Sequence, residues 1–241
     1  MTTTSSGKCL VLLAHPDDEI FMLPFLLNKQ LNPTFIYFSE NSRFFNADRS
    51  TELQNAFKRF QKNGFNFQLK SIPNNCRDGF CFSDLTQDHY FFVEQVVKDL
   101  GNPAIVTLSL EGGHQDHDVI NLFARKIALS HELPLIQFPS YRKSNNILLP
   151  FSVMRSQHKG SPLIFGRIKV VKEMFNLAFI YKSQWRTWIG LLPFLFYRYT
   201  FLSFCEELSE MQIDEDYECL YESRRHAKKS DVVTSIRWLI S

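Results

Sequence analysis

Short, continuous apolar runs alternate with amphipathic stretches along much of the chain, and this alternation constrains the fold most. The first run, at residues 8–14, reads KCLVLLA and leads into a turn that contains Pro16. Runs of this length without polar alternation favour strands that are buried on both faces, as in parallel sheets. Strands that alternate with helices of about 10 to 15 residues predict right-handed βαβ units and a doubly wound, mostly parallel sheet.

The same pattern predicts the individual elements and the domain organisation. A chain of 241 residues is long enough for one sizeable α/β domain. We therefore predict a single domain over 1–241, with a core at about 8–140 and a C-terminal extension at about 141–241 that covers the sheet. The predicted strands are 8–14, 34–38, 67–72, 104–108 and 135–138, and the predicted helices are 17–28, 50–63, 88–100, 118–130 and 169–188.

Charge and cysteine content exclude several classes of function. Lys and Arg number 27 against 25 Asp and Glu, and no basic block is present, so nucleic acid is an unlikely partner. The apolar run near the start is too short for a signal-peptide core, which favours a cytoplasmic location. The five cysteines are scattered and form no C-x-x-C pair, so we interpret them as free thiols and expect no thiolate zinc site.

A run of chemically active side chains follows the first predicted strand directly. Residues 14–19 read AHPDDE, which places an imidazole and three carboxylates where an open α/β sheet binds its ligands. No G-x-G-x-x-G turn is present, so this is not the usual nucleotide site. His15 and Asp18 are spaced so that both can reach one cation.

A second polar run follows the fourth predicted strand. Residues 111–118 read EGGHQDHD, and in the common strand order, with strand 1 beside strand 4, this loop meets the first one. His117 can then join His15 and Asp18 on one metal ion. Two histidines and one carboxylate leave a position open, which is typical of catalytic zinc, and Asp17 remains as a base.

Each motif alone has a simpler interpretation. The HPDD run also fits a capped helix start, because Asp favours the first helical turn. The H-x-x-H after two glycines also fits a turn with surface histidines. The presence of both motifs, each after a predicted buried strand, favours the metal site.

Together, AHPDDE and GGHQDHD resemble the LmbE/PIG-L family of metal-dependent N-deacetylases. The resemblance implies a Rossmann-like fold, one zinc ion per chain, and an N-acetylglucosamine-type substrate or glycan. It implies His15, Asp18 and His117 as metal ligands and Asp17 as the general base. It also implies that His114, oriented by Asp116, stabilises the tetrahedral intermediate, and we expect His114 to do so as an imidazolium.

The resemblance is weaker outside these two motifs. Gln115 stands where the family commonly has Pro, and Ser39-Glu40 lacks the glycine that usually precedes the glutamate. Arg49 and Asp78 resemble family positions that face the sugar, although Arg49 also fits a solvated helix residue. Residues 182–184, Lys-Ser-Gln, resemble a family Ser-Gln element, for which we expect a packing role.

An aromatic segment at 188–204 lies outside both motifs. It is interrupted by Pro193 and Arg198 and is too short to span a bilayer, which needs about 20 apolar residues. It fits a core or oligomer segment; alternatively it forms a surface that docks peripherally on a membrane or receives a lipid-linked sugar.

Three functions therefore stay open at the level of sequence. The first is a hydrolase that removes an N-acetyl group from an amino sugar, or an acyl group from another small polar amide. The second is a metal- or sugar-binding module without turnover, which Asp17 disfavours because a binder needs no unliganded carboxylate beside the metal. The third is a phosphoester hydrolase, which usually requires two metals or more cationic residues.

Overall fold

The chain folds into an α/β structure around a central, mostly parallel sheet. The computed structural model describes residues 7–27, 31–39, 49–77, 79, 84–146, 149–153, 167–201, 206–207, 230 and 232. The sheet order is β3-β2-β1-β4-β5-β8, in which β1 to β5 are parallel and β8 pairs with β5 antiparallel. Its strands are β1 (Lys8–Leu13), β2 (Asn32–Tyr37), β3 (Gln68–Leu69), β4 (Ala104–Leu108), β5 (Leu135–Phe138) and β8 (Glu206–Glu207); a separate antiparallel hairpin joins β6 (Tyr141–Asn146) to β7 (Leu149–Val153).

Helices cover both faces of this sheet, because alternate residues of each strand point to opposite sides. The helices are α1 (Leu23–Leu26), α2 (Arg49–Lys62), α3 (Gln87–Leu100), α4 (Gln115–Ser130), α5 (Arg167–Ile180) and α6 (Trp185–Phe201). Cys9, Val11 and Leu13 of β1 pack in a cluster with α1, α2, α5 and α6, whereas Leu10 and Leu12 pack in a second cluster with α3 and α4. Both clusters are buried, so the apolar runs of the sequence form a three-layer core.

The helix predicted at 17–28 is shorter and partly of another type. A 3-10 helix covers Asp18–Met22, and only Leu23–Leu26 is α-helical. Pro24 lies at the start of that α-helix. Proline has no N–H to donate and clashes inside a helix, so one continuous α-helix through this stretch is disfavoured.

The predicted extension contributes two helices to the core instead of one. The helix predicted at 169–188 ends at Ile180, and Tyr181 adopts the non-helical angles φ −79° and ψ 61° before a new helix begins. Val170, Met174 and Leu195 belong to the same buried cluster as β1. α5 and α6 therefore pack against the sheet through this cluster, and the domain bounds stay a prediction.

The aromatic segment predicted at 188–204 lies mostly on α6. Trp188, Leu191, Leu195 and Tyr199 are buried, so one face of this helix is core, while residues 202–204 lie outside the described part of the chain. None of the described helices is long and apolar enough to cross a membrane. The suggestion of a peripheral membrane surface stays a prediction.

Candidate metal centre

The two polar loops of the sequence meet at one edge of the sheet. β1 pairs in parallel with β4 and with β2, so the chain reverses its strand order between β1 and β4. The loops that follow these two strands carry His15 and His114, whose ring centroids are 5.0 Å apart. The predicted neighbourhood of strands 1 and 4 is confirmed, and it creates the crevice in which α/β sheets bind ligands.

His15 is held by a carboxylate from the first turn of α4. Its Nε2 lies 2.8 Å from Oδ2 of Asp116, and the same oxygen accepts a hydrogen bond of 2.7 Å from the Gly79 backbone N–H. Burial would raise the pKa of Asp116, but His114 and His15 outweigh it and lower that pKa, so Asp116 is an ionised acceptor. Nε2 of His15 therefore carries the proton, and Nδ1 keeps a lone pair that can bind a metal.

Asp18 lies between His15 and His117. One carboxylate oxygen accepts from the His15 backbone N–H at 2.8 Å and lies 3.7 Å from His15 Nδ1. The other oxygen lies 2.9 Å from His117 Nε2. Burial would raise the pKa of Asp18, but the charge and hydrogen bond of His117 outweigh burial and lower it. The carboxylate is therefore ionised and accepts the His117 proton.

α4 begins at Gln115, three residues earlier than the sequence predicted, and His114 is its N-cap. The expected loop extended to residue 117, but the His114 side chain caps the helix by accepting from the Asp116 backbone N–H at 3.2 Å. Such a cap satisfies a backbone donor that a helix start otherwise leaves unpaired. Because Nδ1 accepts, the proton of a neutral His114 lies on Nε2.

The surroundings of His114 disfavour the expected imidazolium form. Burial lowers the pKa of His114 to about 4, and His15 and His117 also lower it, although Asp116 opposes them. The Asp116 carboxylate is closest to His15; its other oxygen lies 3.8 Å from His114 Nδ1, beyond hydrogen-bond reach. His114 is therefore a neutral donor at neutral pH, aligned by the Asp116 backbone.

The donor set fits a zinc ion. Nitrogen and carboxylate ligands at about 2.0 to 2.2 Å in a tetrahedron lie roughly 3.3 Å from one another. One oxygen of Asp18 lies 3.7 Å from His15 Nδ1 and the other lies 2.9 Å from His117 Nε2, so the carboxylate and both nitrogens are close enough to share one ion.

A second ligand set is also possible on distances alone. His15, His114 and His117 each offer one nitrogen within 4.8 Å of the others. However, the His114 side chain is 37% exposed and faces the pocket, whereas those of His15 and His117 are 9% and 4% exposed. Both sets share His15 and His117, and they differ in the choice between Asp18 and His114.

Asp17, the predicted base, has an unusual backbone conformation. Its φ is 104°, in the left-handed region that non-glycine residues rarely adopt. The Asp17 N–H donates to the Glu19 carboxylate at 3.1 Å, which holds this turn. Burial raises the pKa of Asp17 well above its ordinary value, Asp18 raises it further, and Arg49 opposes the rise. A carboxylate of raised pKa is a better proton acceptor near neutral pH.

Glu19 connects this turn to the C-terminal helices. It is fully buried and also accepts hydrogen bonds from the hydroxyls of Tyr37, at 3.0 Å, and Tyr181. Burial raises the pKa of Glu19 to about 7, while these hydrogen bonds lower it. The Tyr199 hydroxyl donates to the Ile20 carbonyl in the following 3-10 helix. Two tyrosines of the extension thus fix the turn that carries the base.

One pocket is lined by these groups and by several other side chains. Arg49 lines it and is 6% exposed, so it is a buried pocket residue and not a solvated one. Asp78 and Glu40 lie outside the described residues, and a substrate contact of Asp78 stays a prediction. The cavity of about 110 Å³ is lined by His15, Asp17, Asp18, Phe21, Arg49, His114, His117, Tyr141, Gln184, Thr187, Trp188 and Leu191.

Little in the sequence indicates that residues of the C-terminal extension line the pocket. Gln184 belongs to the Lys-Ser-Gln element for which we expected a packing role, and it lines the pocket beside Trp188. Ser183 does have a structural role, because its N–H and hydroxyl bind the Glu52 carboxylate at 2.9 and 2.6 Å. This contact ties the start of α6 to α2.

Gly113 allows the second loop to pass close to β6. A Cβ at this position would lie 1.8 Å from the Tyr141 carbonyl oxygen. The Tyr141 ring in turn lies 5.8 Å from the His117 ring. The second glycine of the motif is therefore a packing requirement of the loop that precedes His114.

Comparison with solved structures confirms the fold. A deacetylase triple mutant of the teicoplanin biosynthetic pathway superimposes with a TM-score of 0.56 at 14% identity, over 79% of this chain and 88% of that one. The A40926 pseudoaglycone deacetylase Dbv21 gives 0.53 at 15% identity, over 77% and 86%. The conserved protein TT1542 of Thermus thermophilus gives 0.52 at 15% identity, over 85% and 96%. At these identities the likeness shows the fold alone.

The sequence itself matches no protein-family model and no curated protein.

Proposed function

We propose that the protein is a zinc-dependent N-deacetylase of the LmbE/PIG-L type that removes an acetyl group from an amino sugar. One observation favours this function over the alternative functions. Asp17, a buried carboxylate of raised pKa, opens into the same pocket as the candidate ligands without being needed as one of them. A hydrolase needs such a proton acceptor, whereas a binding module does not.

His15 Nδ1, the Asp18 carboxylate and His117 Nε2 would hold the metal. Two nitrogens and one oxygen are ligands that zinc prefers, and three protein ligands leave one position for substrate or water. When bound, zinc would supply a Lewis acid that polarises the amide carbonyl and acidifies water. Binding must displace the proton between His117 and Asp18, so we expect metal affinity to fall as pH falls.

Asp17 would move the proton in this reaction. Its carboxylate takes a proton from the attacking water and then donates it to the leaving nitrogen, so the amide C–N bond breaks and a free amine and acetate result. The raised pKa suits both steps. Glu19, through the Asp17 N–H at 3.1 Å, keeps the base in its turn.

His114 would stabilise the oxyanion as a neutral hydrogen-bond donor. Nδ1 is occupied by the Asp116 backbone N–H, which leaves the Nε2–H directed by the cap and available to the substrate oxygen. The side chain is 37% exposed, so a ligand in the pocket can reach it. A donor that is already fixed costs no reorganisation when negative charge develops.

The substrate would be a small molecule or glycan that carries an N-acetylated amino sugar. Two structural neighbours are deacetylases of glycopeptide pathways, of A40926 pseudoaglycone and of teicoplanin biosynthesis. Arg49 lies in the pocket beside Asp17 and provides a cationic side chain for sugar hydroxyls. We also propose Asp78 as a sugar contact, by its position in the sequence after the third strand.

A screen of N-acetylated sugars with zinc-loaded protein tests this function. We expect at least one sugar to release acetate and free amine in equal amounts, and we expect a chelator to abolish the release. Aryl phosphates serve as the control for phosphoester hydrolysis and should remain intact. One bound zinc per chain without acetate release from any amide would contradict the proposal and favour a binding module.

A further inference from the structure

The outer surface of α5 and α6 has an unusual concentration of exposed apolar side chains. Seven of the nine exposed large apolar residues in the described structure lie on these two helices, and only Phe91 and Leu129 lie elsewhere. Phe179 is 73% exposed and Ile189 is 65% exposed. Single exposed apolar residues are common, but a cluster of this kind marks an interaction surface.

These side chains lie on two helices that pack against each other, and we call the surface that they form the α5–α6 face. Its members on α5 are Ile168, Phe175 and Phe179, seven and four residues apart, so they project from one side of that helix. Phe175 contacts Phe196 of α6, with ring centroids 6.2 Å apart, which connects the two helices at the surface. On α6 the face consists of Trp185, Ile189, Phe196 and Tyr197.

The charges on this pair of helices have one sign. Glu173 is the only acidic residue between 167 and 201, and it is buried and bound by Arg59 through hydrogen bonds of 2.8 and 3.0 Å. The exposed charged residues in the described part of α5, α6 and their connection are Lys169, Lys172, Lys182 and Arg186. The α5–α6 face is therefore apolar with a cationic border.

We propose that the α5–α6 face docks on the surface of an anionic lipid bilayer. Apolar side chains enter the boundary between headgroups and acyl chains, while lysine and arginine remain at the anionic headgroups. Trp185 and Tyr197 are half exposed, and tryptophan and tyrosine prefer this interface because each ring has an apolar body and a polar tip. Docking is peripheral, because neither helix is long and apolar enough to cross the bilayer.

A second copy of the chain is a poorer occupant of this surface. A symmetric contact through the α5–α6 face would bring the lysines of both copies together without an exposed acidic partner from either helix. An anionic bilayer presents the opposite charge across the whole face. Charge complementarity therefore favours the lipid surface over self-association.

Docking would bring the pocket close to the membrane. Trp188 and Leu191 line the pocket, and Ile189, between them on α6, belongs to the exposed face. The two surfaces thus share one helix. The docking proposal stands on the α5–α6 face alone and does not depend on the proposed deacetylase activity.

Flotation of the purified full chain with lipid vesicles tests the docking directly. We expect the protein to float with phosphatidylcholine vesicles that contain phosphatidylglycerol, and to float much less with phosphatidylcholine alone. Added salt should weaken the binding, because it screens the cationic border. Failure to bind the anionic vesicles at low salt would overturn the proposal.

Matched substitutions locate the contact. We expect the pair Phe179→Glu and Ile189→Glu to abolish flotation, whereas Phe91→Glu, at a 60% exposed position of α3 on the opposite side of the sheet, should retain it. Circular dichroism checks that each variant is folded. Equal losses in the α3 control and the α5–α6 pair would overturn the proposed contact.

Separate measurements test the role of the cationic border and the alternative of self-association. Lys172→Gln should weaken vesicle binding on the order of fivefold, because one basic residue at an anionic surface contributes that much affinity. Lys98→Gln, at an exposed position of α3, is the control and should bind vesicles as the parent protein does. If light scattering shows a dimer that Phe179→Glu dissociates, and the parent does not float, the face joins two copies and the proposal is wrong.

Discussion

Single protons decide how the candidate centre can bind a metal. The Asp116 carboxylate places the His15 proton on Nε2, and the Asp116 backbone N–H leaves the His114 proton on Nε2 as well. His15 then offers Nδ1 to a cation, whereas His114 offers a donor to a substrate. In the proposed mechanism, Asp116 thus makes His15 a metal ligand and His114 an oxyanion donor.

Substitutions at Asp18 and His114 distinguish the two possible ligand sets. Asp18→Ala should remove most bound zinc, because only two protein ligands would remain. His114→Ala should keep about one zinc per chain while the deacetylation rate falls by about 10²- to 10³-fold, the usual effect of losing an oxyanion donor. Elemental analysis of the purified variants measures the zinc. Zinc retained in Asp18→Ala and lost in His114→Ala would show that three histidines hold the metal.

Gly113 should be intolerant of any side chain. Because an added Cβ would lie 1.8 Å from the Tyr141 carbonyl oxygen, Gly113→Ala must displace backbone and should cost about 1 to 3 kcal/mol of unfolding free energy or more. Gly190→Ala is the matched control, since no atom lies within 4 Å of its added Cβ. It should raise stability by about 0.5 to 1 kcal/mol, as alanine favours a helix interior. Urea unfolding measures both, and equal stabilities would refute the close approach.

At the scale of elements, the sequence predicted the sheet well. β4 and β5 have the predicted bounds, and β1 and β2 differ from them by one or two residues, because long apolar runs leave little freedom for a buried strand. The order of β1 beside β4 was also predicted. β3 is only two residues long, Gln68–Leu69, because it lies at the edge of the sheet with one neighbour.

Elements that depend on tertiary contacts were predicted less well. The early start of α4 depends on a histidine cap, and histidine is not among the usual capping residues. The break between α5 and α6 occurs at Tyr181, whose hydroxyl reaches Glu19 in a loop far away in the sequence. No local sequence pattern predicts such a contact. For the same reason, the sequence did not predict that α6 lines the pocket.

The contact of Tyr181 with Glu19 can be tested by removing one hydroxyl. Tyr181→Phe leaves the buried Glu19 with one donor fewer and should cost about 1 to 3 kcal/mol of unfolding free energy. Phe175→Leu, at an exposed position of α5, which ends one residue before Tyr181, should change stability by less than about 0.5 kcal/mol. Chemical denaturation gives both values. A Tyr181→Phe protein as stable as the parent would show that the extension does not fix the turn.

At the scale of the whole molecule, the two-sided core protects the thiols of the sheet region. Cys9 is 2% exposed on β1, and burial raises the pKa of its thiol to about 12. Cys76 is 8% exposed, and burial raises its pKa to about 11. Both thiols are free, as predicted for the cysteines, in the part of the chain that the structure describes.

Thiol labelling should therefore report on unfolding. We expect iodoacetamide to modify Cys9 only when the sheet opens, because the reactive thiolate is both rare and inaccessible in the folded protein. Mass spectrometry of tryptic peptides follows each cysteine separately. The Cys9 rate should rise steeply across the urea transition, and rapid labelling of Cys9 under native conditions would contradict the buried position of β1.

The deacetylation rate and zinc content of Asp17→Asn test the central claim most directly. Asparagine keeps the size of Asp17 but cannot take a proton from water. With a substrate from the sugar screen, the rate should fall by about 10²- to 10⁴-fold. Zinc should stay at about one per chain, because Asp17 is not among the proposed ligands. A rate close to that of the parent protein, or loss of zinc from this variant, would contradict the role of Asp17 as the base beside the metal.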